Sequence, residues 1–359
     1  MMKLKKVYIM IPTLNPTEDL IDYIKHLKEK GFNDILVIND GSNKEKQPIF
    51  DAIENIDGCK ILTHAINLGK GRAMKNGFNF FLNLKNLDEY SGMIAVDSDG
   101  QHSVEDVEKI AKLLETTPDS LIMGSRNFDG KDVPIKSSFG NKMTCLVFKL
   151  LYGQNLKDTQ TGLRGFPTNI IYNFMDLFGE RFEYETSMLI ECALKKIDIK
   201  EVDIQTIYID NNSETHFRPI KDSLAIYNII LKSFFMYMCS SLMSFFIDIG
   251  MFSLFMNLFK YIGGVGKSIL IATVAARIIS SLFNYTVNKN VVFKNTDGKS
   301  TLVKYYILCI TQMLLSAGIV ELIYSYFAGG AVLIKVVVDS ILFILSYQIQ
   351  QRWVFKESK

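Results

Sequence analysis

The chain changes solvent partway along its length. Up to about Lys232 it reads as a charged, water-soluble sequence, and from Ser233 to Phe355 it is mostly apolar helix of membrane grade. Four apolar segments can be drawn, roughly Phe234 to Phe259, Ile269 to Val287, Leu302 to Phe327 and Val332 to Ile349, each near the ~20 residues a helix needs to cross a bilayer. Such a chain must fold twice, once around a core that excludes water and once as helices that satisfy their own backbone groups in lipid. Four spans return the chain to its starting side. The connection between the second and third carries Lys289, Lys294, Lys299 and Lys304, and the tail carries Arg352, Lys356 and Lys359. The other two connections hold Lys260 and Lys267 in one and no charge from Phe327 to Leu333 in the other. The positive-inside rule therefore puts the soluble half, the middle loop and the C-terminus in the cytoplasm.

The formal net charge of +2 over 359 residues gives no basic excess of the kind that marks a nucleic-acid partner. Cys59, Cys145, Cys192, Cys239 and Cys309 are scattered without a C-x-x-C pair, so neither a zinc site nor a disulfide framework is indicated and a reducing compartment fits. Lys3, Lys5 and Lys6 precede an apolar stretch, but Pro12 stops it after Ile11, too early for a signal segment. It reads instead as the first core strand.

In the soluble half Lys6 to Ile11, Asp34 to Asn39, Lys60 to Thr63, Met93 to Asp97 and Leu121 to Gly124 read as strands. Helical stretches at Asp19 to Lys30, Gly71 to Leu84 and Val104 to Leu114 separate several of them. Strand and helix in alternation predict an α/β fold with a mostly parallel, doubly wound sheet. Ligands in such sheets collect beyond the C-terminal strand ends, where this sequence places Pro12 to Asn15, Asn39 to Ser42 and the Asp97/Asp99 pair. Each turn alone has an ordinary reading, Asn-Asp-Gly-Ser as turn chemistry and Ser103 as a helix cap after Asp99-Gly100. Together they fall on one edge of one sheet. The run Asn67 to Arg72 adds a glycine-bearing loop entering a helix, where backbone N–H groups and Lys70 could meet a phosphate.

These residues resemble a known pattern. IPTLNP at 11 to 16, INDGS at 38 to 42, NLGKGRA at 67 to 73, DSDGQH at 97 to 102, GSR at 124 to 126, DTQTGLRG at 158 to 165 and RFEYE at 181 to 185 run in order over most of the first 220 residues. The soluble half thereby resembles a family 2 glycosyltransferase of the GT-A fold, a Rossmann-like architecture, of the polyprenyl-phosphate type that includes dolichol-phosphate mannose synthase and the bactoprenol glucosyltransferases. The resemblance implies an inverting, metal-dependent transfer of one sugar from a nucleotide-sugar to undecaprenyl or dolichyl phosphate, with a UDP-sugar the first expectation and GDP-mannose the second. It implies that Pro12, Asn15, Asp40, Lys70 and Arg218 line the nucleotide-sugar pocket, with Asp97 close to nucleotide and metal. It implies that Asp97, Asp99 and Gln101 hold Mg²⁺ or Mn²⁺ on the donor diphosphate, that Arg126, Lys136 and Ser137 grip the acceptor phosphate, and that Asp158, Gly162, Arg164 and Glu183 shape the sugar and acceptor end. Where relatives carry a second arginine this chain has Lys136, a point charge in place of a bidentate fork.

The membrane half resembles the GtrA-like four-helix domain, with matching residues Arg277, Asn284, Asn288 and Phe293. Within the chain, Asn284 to Phe293 also lines up loosely with Ser346 to Phe355, which suggests two related helical hairpins. The expected organisation is a cytoplasmic GT-A domain over 1–218, an amphipathic interface helix over 219–232 and a four-span domain over 233–359, with a further interface helix near 137–152. Lys142 and Lys149 among apolar neighbours suit the headgroup region, although packing on the soluble core is the plain alternative. His216 and Arg218 could close over the donor. Asp248, Arg277, Glu321, Lys335 and Asp339 are ionisable residues within spans; Arg277 meets either a lipid phosphate or one of these acids. Gly263 to Ser268 lacks the first glycine of a phosphate loop, and Gln351-Arg352-Trp353 lacks the glutamine spacing of a processive polysaccharide synthase. The expected partners are the nucleotide-sugar, the polyprenyl phosphate, the lipid bilayer and a second copy of the chain. A lipid-sugar flippase is the alternative from a different class.

Overall fold

The computed structural model describes residues 6–128, 135–205, 219–258, 265–295, 300–327 and 331–356. The chain divides into two compact units, Met1–Ile229 and Ile230–Lys359.

Among the described residues the first unit is built on seven strands: β1 (Lys6–Thr13), β2 (Asp34–Asn39), β3 (Cys59–Thr63), β4 (Tyr90–Ala95), β5 (Ser120–Arg126), β6 (Arg164–Pro167) and β7 (Asp198–Ile204), in the order β3-β2-β1-β4-β6-β5-β7. All pairings are parallel except those of β6, which runs antiparallel to both β4 and β5. The short β6 therefore splits a doubly wound sheet into two parallel blocks. Residue alternation sends Ile9, Ile11, Val37, Ile94 and Ile122 to one face. There they meet helix α1 (Asp19–Glu29), α2 (Gln47–Glu54) and α4 (Val104–Thr116). Leu20, Ile24 and Leu27 of α1 sit at helical spacing and are fully buried, each worth about 1.5–3 kcal/mol against exposure. An acid at Ile24 would break that contact. The opposite face is aromatic: Tyr8 and Tyr90 pack against Phe81 of α3 (Lys70–Leu82), and Phe78 lies 4.9 Å from Phe166. Helix α5 (Ile135–Tyr152) and α6 (Glu183–Lys195) complete the unit with the first turns of α7 (Pro219–Leu258).

Helix α7 runs without interruption, so the stretch over 219–232 and the first apolar span form one helix. No glycine or proline follows Pro219 until Gly250, and nothing local stops propagation. It is followed by α8 (Val265–Val287), α9 (Ser300–Phe327) and α10 (Ala331–Ile349). Among the described residues four segments are long and apolar enough to cross a membrane: Lys221–Leu258, Ser268–Val292, Ser300–Tyr326 and Val332–Val354. In the second unit α8 buries Ser268, Ala272, Ala276 and Ser280, four residues apart; small side chains let helices approach closely where lipid offers no hydrophobic driving force. Arg277 is paired with Asp248 at 3.4 Å, which also accepts from Ser280, and Lys335 with Asp339 at 2.9 Å.

Both α8 and α10 end in a single π-helical turn, Asn288–Val292 and Gln350–Val354. Phe293 N–H donates to Asn288 O at 2.9 Å and Phe355 N–H to Gln350 O at 2.8 Å. The Asn288 amide donates across to Gln350 Oε1 at 3.0 Å, and the Phe293 and Phe355 rings stack at 5.2 Å. The two aligned sequence segments are thus two copies of one local structure in contact with each other.

Candidate active site

The turns after β1, β2 and β4 converge on a cavity of about 310 Å³ in the first unit. Asp40, at the end of β2, is almost wholly buried and serves the cavity wall. Its Oδ1 accepts from His64 Nδ1 at 2.7 Å and from Leu68 N–H at 2.9 Å, and its Oδ2 from Gly69 N–H at 2.8 Å. Gly69 has φ +101°, and a Cβ there would lie 2.4 Å from Glu180 O, so only glycine fits the loop to that wall. The clamp fixes the entrance to α3 and with it Lys70, whose Nζ stands 2.6 Å from Asp97 Oδ1 and 3.1 Å from Glu185 Oε1.

The acidic loop after β4 is held from both ends. Ser103 caps α4 by accepting from Asp106 N–H at 3.2 Å. Asp99 Oδ1 accepts from Gln101 N–H at 3.1 Å, and His102 Nε2 lies 3.5 Å from Asp97 Oδ2. Behind Asp97 is Gly162, where a Cβ would meet Oδ2 at 1.9 Å; the carboxylate occupies space that any side chain would fill. Burial works against ionisation of Asp97, but Lys70 and His102 outweigh it and hold the carboxyl far below its usual range. Burial, then the Asp97 charge, pushes Asp99 upward. Burial also opposes the Lys70 charge, yet Asp97 and Glu185 together raise its pKa.

Two carboxylates whose charges oppose each other, on a wall relieved of side chains by Gly162, are a donor set suited to a hard divalent cation. Among the described residues no group of three or more His, Cys, Asp or Glu is placed to hold a metal. Remaining ligands would have to come from water and a bound phosphate, the usual arrangement for Mg²⁺.

Arg126, at the end of β5, lines the same cavity. Its Nε donates to Asp158 Oδ2 at 2.7 Å and its Nη2 to Oδ1 at 3.1 Å. Asp158 is fully buried and also accepts from Gln160 N–H at 2.9 Å. This bidentate pair fixes the plane of the guanidinium.

The structure brings Pro12, Asp40, Lys70, Asp97, Asp99, Gln101 and Arg126 to the cavity. Asn15 sits beside it at φ +50°, donating its N–H to Ser42 and accepting from Asn43 N–H, and so ties two turns together. Asp158 and Gly162 stand behind Arg126 and Asp97 respectively. Arg164 is not brought to the cavity surface: it is fully buried and donates to the carbonyls of Thr161, Glu185 and Thr159. Glu183 likewise turns away, accepting from the N–H groups of Glu180 and Arg181. The side chains of Lys136 and Ser137, and all of His216 and Arg218, lie outside the described residues. His102, Gln160, Arg181, Phe182 and Glu185 enter the sequence reading only within motif stretches and without a role, and His64 is not singled out there; the partners of Glu185 and His64, Lys70 and Asp40, lie far along the chain.

Comparison with known proteins yields two family matches. Residues 8–177 match the model described as Glycosyl transferase family 2, and residues 236–355 match GtrA/DPMS, transmembrane domain. An uncharacterized protein of Methanocaldococcus jannaschii is 27% identical over 64% of this chain and 93% of its own length. UDP-N-acetylglucosamine--dolichyl-phosphate N-acetylglucosaminyltransferase of Methanococcus voltae is 28% identical over 57% of this chain and 87% of its own length. Polyprenol monophosphomannose synthase of Mycolicibacterium smegmatis is 25% identical over 46% of this chain and 63% of its own length.

Proposed function

The chain belongs to glycosyl transferase family 2 and carries a GtrA/DPMS transmembrane domain, and on that footing we propose that it moves one sugar from a nucleotide-sugar to a polyprenyl phosphate with inversion at the anomeric carbon. The observation that carries this reading is the single cavity shared by Asp97, Asp99, Lys70 and Arg126, in a chain that goes on to four apolar helices of spanning length. An oxygen of the acceptor phosphate attacks the anomeric carbon as its bond to the donor diphosphate breaks, and the leaving diphosphate takes the electron pair. The acceptor oxygen is already anionic at neutral pH, so the site has no proton to remove. Its contribution is placement and charge compensation. Arg126, fixed by Asp158, orients the acceptor phosphate, and Lys70 stands where the diphosphate charge grows. Asp97 and Asp99 would hold Mg²⁺ or Mn²⁺, which supplies further positive charge at the diphosphate.

UDP-N-acetylglucosamine, the donor in the name of the Methanococcus voltae relative, is the first donor to test, and GDP-mannose the second. Undecaprenyl and dolichyl phosphate are the acceptors. The first unit and the C-terminus face the cytoplasm in this reading, with the product made at the inner leaflet. Helix α5 leaves Phe139, Met143, Leu146 and Leu150 exposed at helical spacing, a stripe suited to the headgroup boundary with its lysines in water. The test incubates the purified full chain in detergent with each acceptor, Mg²⁺ or Mn²⁺ and labelled donors, and counts label in the organic phase. Transfer that needs the metal and is lost in Asp99→Ala is expected. A folded protein that labels neither lipid from any UDP- or GDP-sugar would overturn the proposal.

A further inference from the structure

Lys70 stands apart from the rest of the cavity wall because its ammonium already occupies a flank of the acidic loop. Nζ is 2.6 Å from Asp97 Oδ1, with Glu185 Oε1 on its other side at 3.1 Å. This placement is built. The Asp40 clamp fixes the backbone at Gly69, and at Gly71 a Cβ would lie 2.6 Å from Tyr184 Cβ, so the start of α3 is pressed against the start of α6. Lys70 and Glu185 face each other across that contact, and both line the cavity.

A carboxylate edge engaged by an ammonium at 2.6 Å is a poor ligand for a second cation, since the two positive charges would repel at a few ångströms. A diphosphate entering the same cavity offers Lys70 a more highly charged partner. Resting on the transfer reaction above, we propose that Lys70 is an internal counter-ion of Asp97 that changes partner to the donor diphosphate, with Glu185 as the positioning residue that keeps it on the cavity wall, so that the acidic loop takes its divalent cation with the nucleotide and not before it. Before the donor arrives, Lys70 neutralises Asp97. Afterwards the same charge sits on the diphosphate and the Asp97 edge is open. The coupling is reciprocal, so the cation tightens nucleotide binding by the factor by which nucleotide tightens cation binding.

The experiment measures Mn²⁺ binding to the full chain in detergent by the electron paramagnetic resonance signal of free Mn²⁺, alone and with saturating UDP or GDP in parallel. The wild type is expected to bind Mn²⁺ at least about tenfold more tightly with the matching nucleotide. Lys70→Met is expected to move the two states in opposite directions, several-fold tighter for Mn²⁺ alone and weaker for Mn²⁺ with nucleotide. Glu185→Gln, which leaves Lys70 with Asp97 as its one carboxylate, should weaken Mn²⁺ binding alone while the nucleotide effect persists or grows. A fold lost to two unpaired carboxylates would weaken both states of Lys70→Met together, and Glu185→Gln then decides. Unchanged Mn²⁺ affinity in both variants without nucleotide, or shifts of equal sign and size in both states of a folded Lys70→Met, overturns the exchange. If the wild type binds Mn²⁺ neither alone nor with either nucleotide, the failure belongs to the cation site itself and takes the exchange with it.

Discussion

Gly162 is where a single added atom has the clearest consequence. A Cβ there would stand 1.9 Å from Asp97 Oδ2, so Gly162→Ala must displace the carboxylate, while its own backbone needs no unusual conformation. Displacement by ~1 Å at a reacting centre costs on the order of 100-fold in rate; we expect that loss in initial-rate transfer assays, with a melting temperature within a few degrees of wild type. Asp158 acts on a different parameter. Asp158→Asn removes the charge that fixes the Arg126 fork, and steady-state kinetics should show the KM for lipid phosphate rising about tenfold or more while the KM for the donor stays within about twofold. Arg126→Lys should not restore it, because an ammonium cannot make the paired contact. Asp40, Asp97 and Asp99 were legible in the sequence because each follows an apolar strand within a few residues, and strand ends gather ligands; Arg126 was legible only through the resemblance carried by GSR at 124 to 126. Glu185 was legible only as the last residue of the RFEYE stretch and not as a partner of Lys70, since it lies inside a helix 115 positions beyond Lys70 (185 minus 70) and only the packing of α3 on α6 makes it a neighbour. Arg164 was legible as a motif residue but not as a buried one; nothing local distinguishes an arginine that staples three carbonyls from one that meets a ligand.

At the scale of elements, the strands and helices with clean periodicity stand where the sequence puts them, within a few residues at their ends. β6 escaped notice because Arg164–Pro167 is four residues long and contains glycine and proline, both poor strand formers. β7 escaped because the alternation of charged and aliphatic residues in Asp198–Ile204 is broken at Lys200-Glu201, which blurs the strand period. The segment 219–232 and the first span read as two elements because their compositions differ, yet helix propagation depends on backbone continuity and not on which solvent surrounds it. Helix α5 carries a prediction of its own. Replacing Leu146 and Leu150 by aspartate removes exposed apolar surface and should raise the KM for undecaprenyl phosphate far more than that for a short, water-soluble prenyl phosphate. Equal effects on the two acceptors would mean that α5 does not meet the lipid surface. The paired π-helical turns carry another. Asn288→Ala and Gln350→Ala share one hydrogen bond, so a double-mutant cycle on detergent unfolding should return a coupling of about 0.5–1.5 kcal/mol, the range of polar pairs in membranes; additivity within error would show that the two copies do not support each other.

For the whole molecule the decisive quantity is the sidedness of four spans. Among the described residues four helices are long and apolar enough to cross a bilayer, but hydrophobicity is symmetric about the bilayer, and only the placement of lysine and arginine breaks the symmetry. The connection after the second span holds Lys289, Lys294 and Lys299, and the tail adds Arg352 and Lys356, whereas the stretch from Phe327 to Leu333 has no charge. Four crossings would be even and would put the first unit, the lysine-bearing connection and the tail on one side, so that one observation on any of them orients all three. Single cysteines placed at Gly264, Gly298 and Gly329, in a background whose five native cysteines have been replaced, should separate cleanly in intact cells treated with a membrane-impermeant maleimide. Positions 264 and 329 should label from outside, and position 298 only after the membrane is permeabilised. The opposite pattern would place the acidic loop and Lys70 outside, away from cytoplasmic nucleotide-sugars. Labelling of 264 without 329 would break the parity argument and reduce the number of spans, and with it the claim that the chain returns to the side on which its first unit works.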